Sequence, residues 1–114
     1  MGLYLFLYLD QHTRVKLPEI GPDYYLNGNE VRSLLDGKVY AIFTQAPVSP
    51  FDNFWEAVYY KDIKLIAMLC MLSDPKRGRQ AELYWPKEGD SLVFSNEKIK
   101  VENLSQKMTG EDLV

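Results

Sequence analysis

The strongest hydrophobic pattern in the sequence extends from Tyr40 to Leu72 and predicts a strand, a helix and a second strand. Val39–Phe43 is a short run of β-forming residues. Pro47 breaks this pattern because proline lacks the amide hydrogen that a strand donates. Leu65–Leu72 is apolar throughout, which is typical of a strand covered on both faces. The simplest closure of such a unit is a right-handed crossover between two parallel strands.

The predicted helix covers about residues 50–61. Ser49 is expected to cap its amino terminus, Pro50 suits the first helical position, and Asp52 lies three residues after the cap. Lys61 and Asp62 are expected to end it. Apolar residues at spacings i, i+3, i+4 and i+7 share one helical face, which we expect to pack on the sheet: Phe51, Phe54, Trp55 and Val58.

The residues before this unit predict two further strands. Thr13, Val15 and Leu17 alternate with polar residues, which is the period of a half-buried strand. Pro18–Asp23 contains the breakers of a loop, and Tyr24–Val31 follows as a strand although its Asn-Gly pair favours a turn or bulge. Asp36-Gly37 predicts a reverse turn that joins residues 30–35 to the next strand as a hairpin.

After the unit, the pattern predicts a strand over Ala81–Trp85 and a turn over residues 87–90. Ser91–Phe94 and Lys98–Val101 follow as an antiparallel pair around Ser95-Asn96. Residues 105–114 are polar and are expected to fray. The whole pattern predicts an α+β domain that consists of one crossover helix and a twisted mixed β-sheet.

The composition indicates one domain, or part of one, over residues 1–114. The hydrophobic share is 46% and the aromatic share is 13%, which suffice for a core. A net charge of −3 offers no electrostatic footprint for nucleic acid or an anionic membrane. One cysteine and one histidine cannot form an internal disulfide or a zinc site. We therefore expect a cytoplasmic protein with no cofactor and no metal.

The amino terminus, residues 1–9, is atypically apolar. Leu3–Leu9 lacks a basic region and a small-residue cleavage site, and it is too short to span a bilayer. We expect it to form a buried or edge strand.

Three polar or nucleophilic residues were considered as catalytic groups. Cys70 lies in an apolar run without an adjacent histidine, glycine or arginine, and such surroundings raise a thiol pKa, so buried packing is favoured. His12 is expected to be a solvated side chain. Gln45 is interpreted as a buried polar turn residue that bonds the backbone after a strand.

Four short segments, in this order, resemble the cysteine-dependent protein tyrosine phosphatase domain. That family carries T-Q-G-P after a strand, D-F-W on a helix, an apolar strand similar to I-V-M-L, and Y-W-P. The matching stretches here are Thr44-Gln45-Ala46-Pro47, Asn53-Phe54-Trp55, Ile66-Ala67-Met68-Leu69 and Tyr84-Trp85-Pro86. The chain corresponds to less than half of the family's domain.

Two further stretches extend the resemblance. Arg14 lies in a segment similar to the family's D-x-[ST]-R-V-x-L, and Asn27 and Asn29 match its strand Y-I-N-A-N-Y, in which the asparagines bond neighbouring backbone. Upstream, Leu3 stands where the family has the tyrosine that stacks on phosphotyrosine. Leu5 stands where the family has the acidic residue that holds the substrate backbone. The resemblance therefore implies that the phosphotyrosine-recognition loop is replaced.

The resemblance also implies the chemistry. The family hydrolyses phosphotyrosine through a cysteinyl-phosphate intermediate and needs an H-C-x-x-G-x-x-R loop, a W-P-D general acid and a water-orienting glutamine. The first two motifs are absent from this sequence, since Trp85-Pro86 is followed by Lys87, and the glutamine of the third lies beyond the matched region. We expect an amino-terminal piece of a tyrosine phosphatase domain that is inactive alone.

The alternative is a non-catalytic, pseudophosphatase-like module that binds a protein partner. Either interpretation predicts exposed apolar sheet surface, and with it self-association or marginal stability.

Overall fold

Four short strands and one helix form the regular structure of residues 13–69 and 82–107, which are the residues that the computed structural model describes. Both strand pairs are antiparallel. The predicted α+β class is confirmed. In chain order the elements are β1 (Gly28–Arg32), β2 (Val39–Thr44), α1 (Asp52–Tyr60), β3 (Ser91–Phe94) and β4 (Ile99–Glu102).

Strands β1 and β2 form the predicted hairpin. The Gly37 amide donates to the Ser33 carbonyl at 2.9 Å, and Gly37 adopts φ +71°, a left-handed conformation that glycine tolerates without steric cost. Strand β1 begins at Gly28 rather than Tyr24 because the Gly28 amide bonds back to the Leu26 carbonyl at 2.8 Å. The Asn-Gly turn signal therefore dominates over strand propensity at this point.

The segment of residues 13–17 lies beside β1. The Glu30 amide donates to the Thr13 carbonyl at 2.7 Å, and the Val15 amide donates to the Gly28 carbonyl at 3.1 Å. Val15 and Leu17 are each only 1% exposed, whereas Lys16 between them is exposed. The alternation predicted for this segment is confirmed.

Helix α1 begins two residues later than expected. Phe51 occupies the N-cap position and makes no side-chain capping bond, so the prediction that Ser49 caps the helix was wrong. The Ser49 amide instead donates to a Glu82 carboxylate oxygen at 3.3 Å. At the other end, the Lys61 amide bonds the Ala57 carbonyl and Asp62 adopts φ +55°, which ends the helix where predicted.

Two predicted strands are not formed in the described residues. Residues 63–69 and 82–84 have no strand partner, although both stretches have strand-like composition. Leu69 is 98% exposed, because no described element covers the apolar run. The parallel crossover is therefore not present in residues 13–69 and 82–107. Residues 70–72, including Cys70, and residue 81 lie outside the described ranges.

Strands β3 and β4 form the second hairpin, as predicted. Ser95, Asn96 and Glu97 all have positive φ angles, between 55° and 66°, and make the tight connection. The turn over residues 87–90 is also confirmed by the 2.9 Å bond from the Asp90 amide to the Lys87 carbonyl. Residues 1–12, with the apolar segment and His12, and residues 108–114 of the predicted frayed tail lie outside the described part of the chain.

We predict that Leu17→Ala lowers the free energy of unfolding by about 2 kcal/mol or more, because it removes a fully buried side chain and leaves a cavity. The measurement is the midpoint of urea unfolding. Leu35→Ala is the matched control, since Leu35 is 97% exposed. Equal shifts for the two variants would contradict the burial of Leu17.

Candidate functional site

An aromatic cluster holds α1 against the segment that precedes β3. Phe54 and Trp55 of α1 are buried together with Tyr84. The Phe54 and Tyr84 ring centroids lie 4.8 Å apart in an edge-to-face arrangement, a favoured geometry for aromatic pairs. The Trp55 indole N–H donates to the Tyr84 carbonyl at 2.9 Å in a buried position. This bond explains why Tyr84 is buried without belonging to a strand.

An open groove of about 620 Å³ lies beside this cluster. Trp55 stacks on Phe94 of β3 with ring centroids 6.1 Å apart, and this contact fixes one end of the second hairpin. Asn103 donates to the Pro86 carbonyl at 3.1 Å. The groove is lined by Trp55, Trp85, Pro86 and residues 101–106.

Two carboxylates of α1 hold the turn of the second hairpin. An Asp52 carboxylate oxygen accepts the Ser95 amide at 2.7 Å, and a Glu56 carboxylate oxygen accepts the Ser95 hydroxyl at 2.8 Å. Glu56 is buried. These bonds, made across about forty residues of sequence, position the left-handed turn against the helix.

Asn53 links α1 to the loop before β1. Its side-chain amide donates to the Tyr25 carbonyl at 2.6 Å, and its own carbonyl accepts the Tyr24 hydroxyl at 2.6 Å. Partial burial raises the pKa of the Tyr24 hydroxyl above its ordinary range, and the nearby Glu56 carboxylate raises that pKa further.

The loop after β2 is held by the same stretch of chain. The Asn27 carbonyl accepts both the Thr44 hydroxyl at 2.9 Å and the Gln45 amide at 3.4 Å. The Asn29 side chain donates to the Thr13 hydroxyl at 2.9 Å. Gln45 is exposed, so its predicted burial was wrong, because only its backbone makes the connection. Pro47 follows in the same irregular loop.

The structure thus brings most of the singled-out residues into one connected set. Asn27 joins the loop of Thr44 and Gln45, and Trp55 joins Tyr84 to the helix. Arg14 lies outside this set and contacts the ring of Tyr25. The sequence analysis missed Asp52, Glu56 and Ser95, since local pattern contains no signal for hydrogen bonds over such separations.

The chemistry of this arrangement is support rather than catalysis. No cluster of three or more histidine, cysteine, aspartate or glutamate side chains that could hold a metal occurs in residues 13–69 and 82–107. Cys70 and His12, the candidate nucleophile and base, both lie outside those ranges.

We predict that Tyr24 ionises above pH 10, since burial and Glu56 both favour its neutral form. A raised pKa means that the contribution of Tyr24 to stability is present below pH 10 and is lost as pH rises through the folded-state pKa. The ultraviolet titration of the protein minus that of Tyr24→Phe isolates this group. Glu56→Gln should lower the midpoint while keeping an oxygen for Ser95. A midpoint at or below 10 in the parent protein would contradict this environment.

No helix in the described residues is long and apolar enough to cross a membrane.

Comparison with known proteins assigns the family. The sequence profile of the family described as protein-tyrosine phosphatase matches residues 6–114. A receptor-type tyrosine-protein phosphatase of Caenorhabditis elegans is 40% identical over 90 residues, which cover 71% of this chain and 6% of that protein. The human tyrosine-protein phosphatase non-receptor type 18 is 36% identical over 99 residues, or 86% of this chain and 21% of that protein.

A third relative is named as inactive. The inactive protein-tyrosine phosphatase egg-4 of Caenorhabditis elegans is 36% identical over 64 residues, which cover 54% of this chain and 8% of that protein. No solved structure matches the chain. The chain spans 22% or less of the length of these curated relatives. With a family match over nearly its whole length, the chain belongs to the protein-tyrosine phosphatase family.

Proposed function

We propose that this chain forms the amino-terminal scaffold of a tyrosine phosphatase domain whose complete form dephosphorylates phosphotyrosine in proteins. The observation that supports this most is the contact between the family-like segments. Asn27 holds the loop of Thr44, Asn53 holds the loop of Tyr25, and Trp55 holds Tyr84. Segments far apart in sequence therefore meet around one helix, as parts of one scaffold would.

The scaffold would orient catalytic groups that these 114 residues do not contain. The family reaction uses a cysteine in H-C-x-x-G-x-x-R, whose backbone amides bind phosphate and favour the thiolate. Cys70 is flanked by Leu69 and Met71 instead, and Trp85-Pro86 is followed by Lys87 rather than by an aspartate. We propose that the 114-residue chain has no phosphatase turnover of its own.

The exposed apolar surface suggests how the scaffold is completed. Leu65, Leu69 and Val48 are exposed around the end of α1 and the loop before it. We propose that the carboxy-terminal part of a tyrosine phosphatase domain covers this surface, and that the chain self-associates without it. We also propose a cytoplasmic location, where a lone cysteine stays reduced.

The test is a chimera. The matched segment of human tyrosine-protein phosphatase non-receptor type 18 is replaced by the corresponding residues of this chain. We expect turnover of p-nitrophenyl phosphate within about tenfold of the parent, which corresponds to about 1.4 kcal/mol of transition-state free energy. The isolated chain should show none, with or without Cys70→Ser.

Matched chimeras sharpen this test. Trp55→Ala in the chimera should abolish turnover through loss of folding, whereas Leu35→Ala, at an exposed position, should not. A chimera that folds cooperatively but is inactive would overturn the scaffold proposal. In that case, capture of a partner by the isolated chain would favour the non-catalytic binding module. Turnover by the isolated chain that Cys70→Ser removes would overturn the proposed inactivity.

A further inference from the structure

Arg14 and Tyr25 form an isolated cation–π pair on the surface. The Arg14 guanidinium carbon lies 4.8 Å from the centroid of the Tyr25 ring. Arg14 is fixed in place because residues 13–15 pair with β1 through the bridge between Arg14 and Asn29. Tyr25 is 52% exposed and lies in the irregular stretch that leads into β1.

The charge of Arg14 has no anionic partner. Its Nε–H is buried without a hydrogen-bond acceptor, and no carboxylate of the described residues pairs with its guanidinium. The other described arginine, Arg32, pairs with Glu30 at 3.0 Å and donates to the Gly37 carbonyl at 2.8 Å. A buried donor without an acceptor is costly, so Arg14 is suited to receive an added anion.

The other described tyrosines lack this combination. The Tyr24 hydroxyl donates to the Asn53 carbonyl, and the Tyr40 hydroxyl donates to the Asp36 carboxylate, which would repel an added negative charge. Tyr84 is buried. Tyr59 is exposed, but its ring contacts Tyr60 and no arginine. Within residues 13–69 and 82–107, Tyr25 alone combines an exposed ring with an unpaired guanidinium.

We propose that Tyr25 is a phosphorylation site and that Arg14 holds the resulting phosphate. A protein tyrosine kinase would supply ATP as the co-reactant. The Tyr25 phenolic oxygen bonds the γ-phosphorus, the bond from that phosphorus to the β–γ bridging oxygen breaks, ADP leaves, and the phenolic proton passes to the kinase base. The proposal goes beyond the scaffold function and does not depend on it.

The phosphate would strengthen an existing contact. It carries a charge of about −1.5 to −2 at pH 7, and guanidinium groups bind phosphate oxygens in paired, charge-assisted hydrogen bonds. Arg14 belongs to the segment beside β1, while Tyr25 belongs to the loop held by Asn53. Phosphorylation would therefore tie these two segments together and order the loop between them.

The first experiment maps the site. The full chain is incubated with ATP and the catalytic domain of a non-receptor tyrosine kinase, and the phosphopeptides are identified by mass spectrometry. We expect phosphate on Tyr25, lost in Tyr25→Phe and kept in the matched variant Tyr59→Phe. Modification of Tyr59 without modification of Tyr25 would overturn the proposal.

The second experiment tests the role of Arg14 by phosphorus NMR of the phosphorylated chain. The second phosphate pKa of phosphotyrosine is about 6, and an adjacent guanidinium lowers it. We expect it to be lower by about half a unit or more in the native chain than in Arg14→Gln. Arg14→Lys should lie between them, since lysine keeps the charge without the paired donors.

The parent chain in denaturant provides a reference that does not depend on a folded variant. Its phosphate pKa should rise on unfolding to that of a phosphotyrosine peptide. Equal phosphate pKa values in the native and denatured chains, or in the native chain and a folded Arg14→Gln variant, would overturn the assignment to Arg14.

Discussion

The hydrogen bond from the Trp55 indole to the Tyr84 carbonyl is the contact on which the described structure depends most. It joins residues 13–69 to residues 82–107 in a buried position, where water cannot replace a lost partner. A buried hydrogen bond of this kind contributes about 1 kcal/mol net, but an unpaired partner costs about 1–3 kcal/mol. The Phe54–Tyr84 edge contact adds about 0.5–1.5 kcal/mol. The Ser95 bonds to Asp52 and Glu56 extend the same joint to the second hairpin.

Local signals in the sequence predicted the local structure. The Asp36-Gly37 turn, the paired strands around Ser95-Asn96 and the apolar face of the helix all depend on neighbours within a few residues. The strand predicted from Leu65 failed because a strand needs a partner, and an apolar run does not specify where its partner lies. Ser49 failed as a cap because the choice among adjacent cap positions depends on tertiary contacts, here the bond from its amide to Glu82.

The candidate site was only partly predictable. Phe54 and Trp55 were identified by helical spacing, and Tyr84 by its resemblance to a family motif, but nothing in the sequence indicated that Trp55 donates to Tyr84. The partnership of Glu56 and Ser95 is invisible for the same reason. These contacts explain what the family-like segments do in this chain: they bind one another. A scaffold with such internal bonds and an exposed apolar surface is suited to receive a further part of a phosphatase domain.

The most direct test of this account is hydrogen exchange at the two tryptophan indoles, followed by NMR. The account predicts strong protection of the Trp55 indole N–H, since it is buried and bonded to Tyr84. The Trp85 indole N–H, for which the described residues supply no acceptor, serves as the internal control and should exchange much faster. Equally fast exchange at both indoles would mean that the joint between the helix and Tyr84 is not formed in solution, and would contradict the central claim.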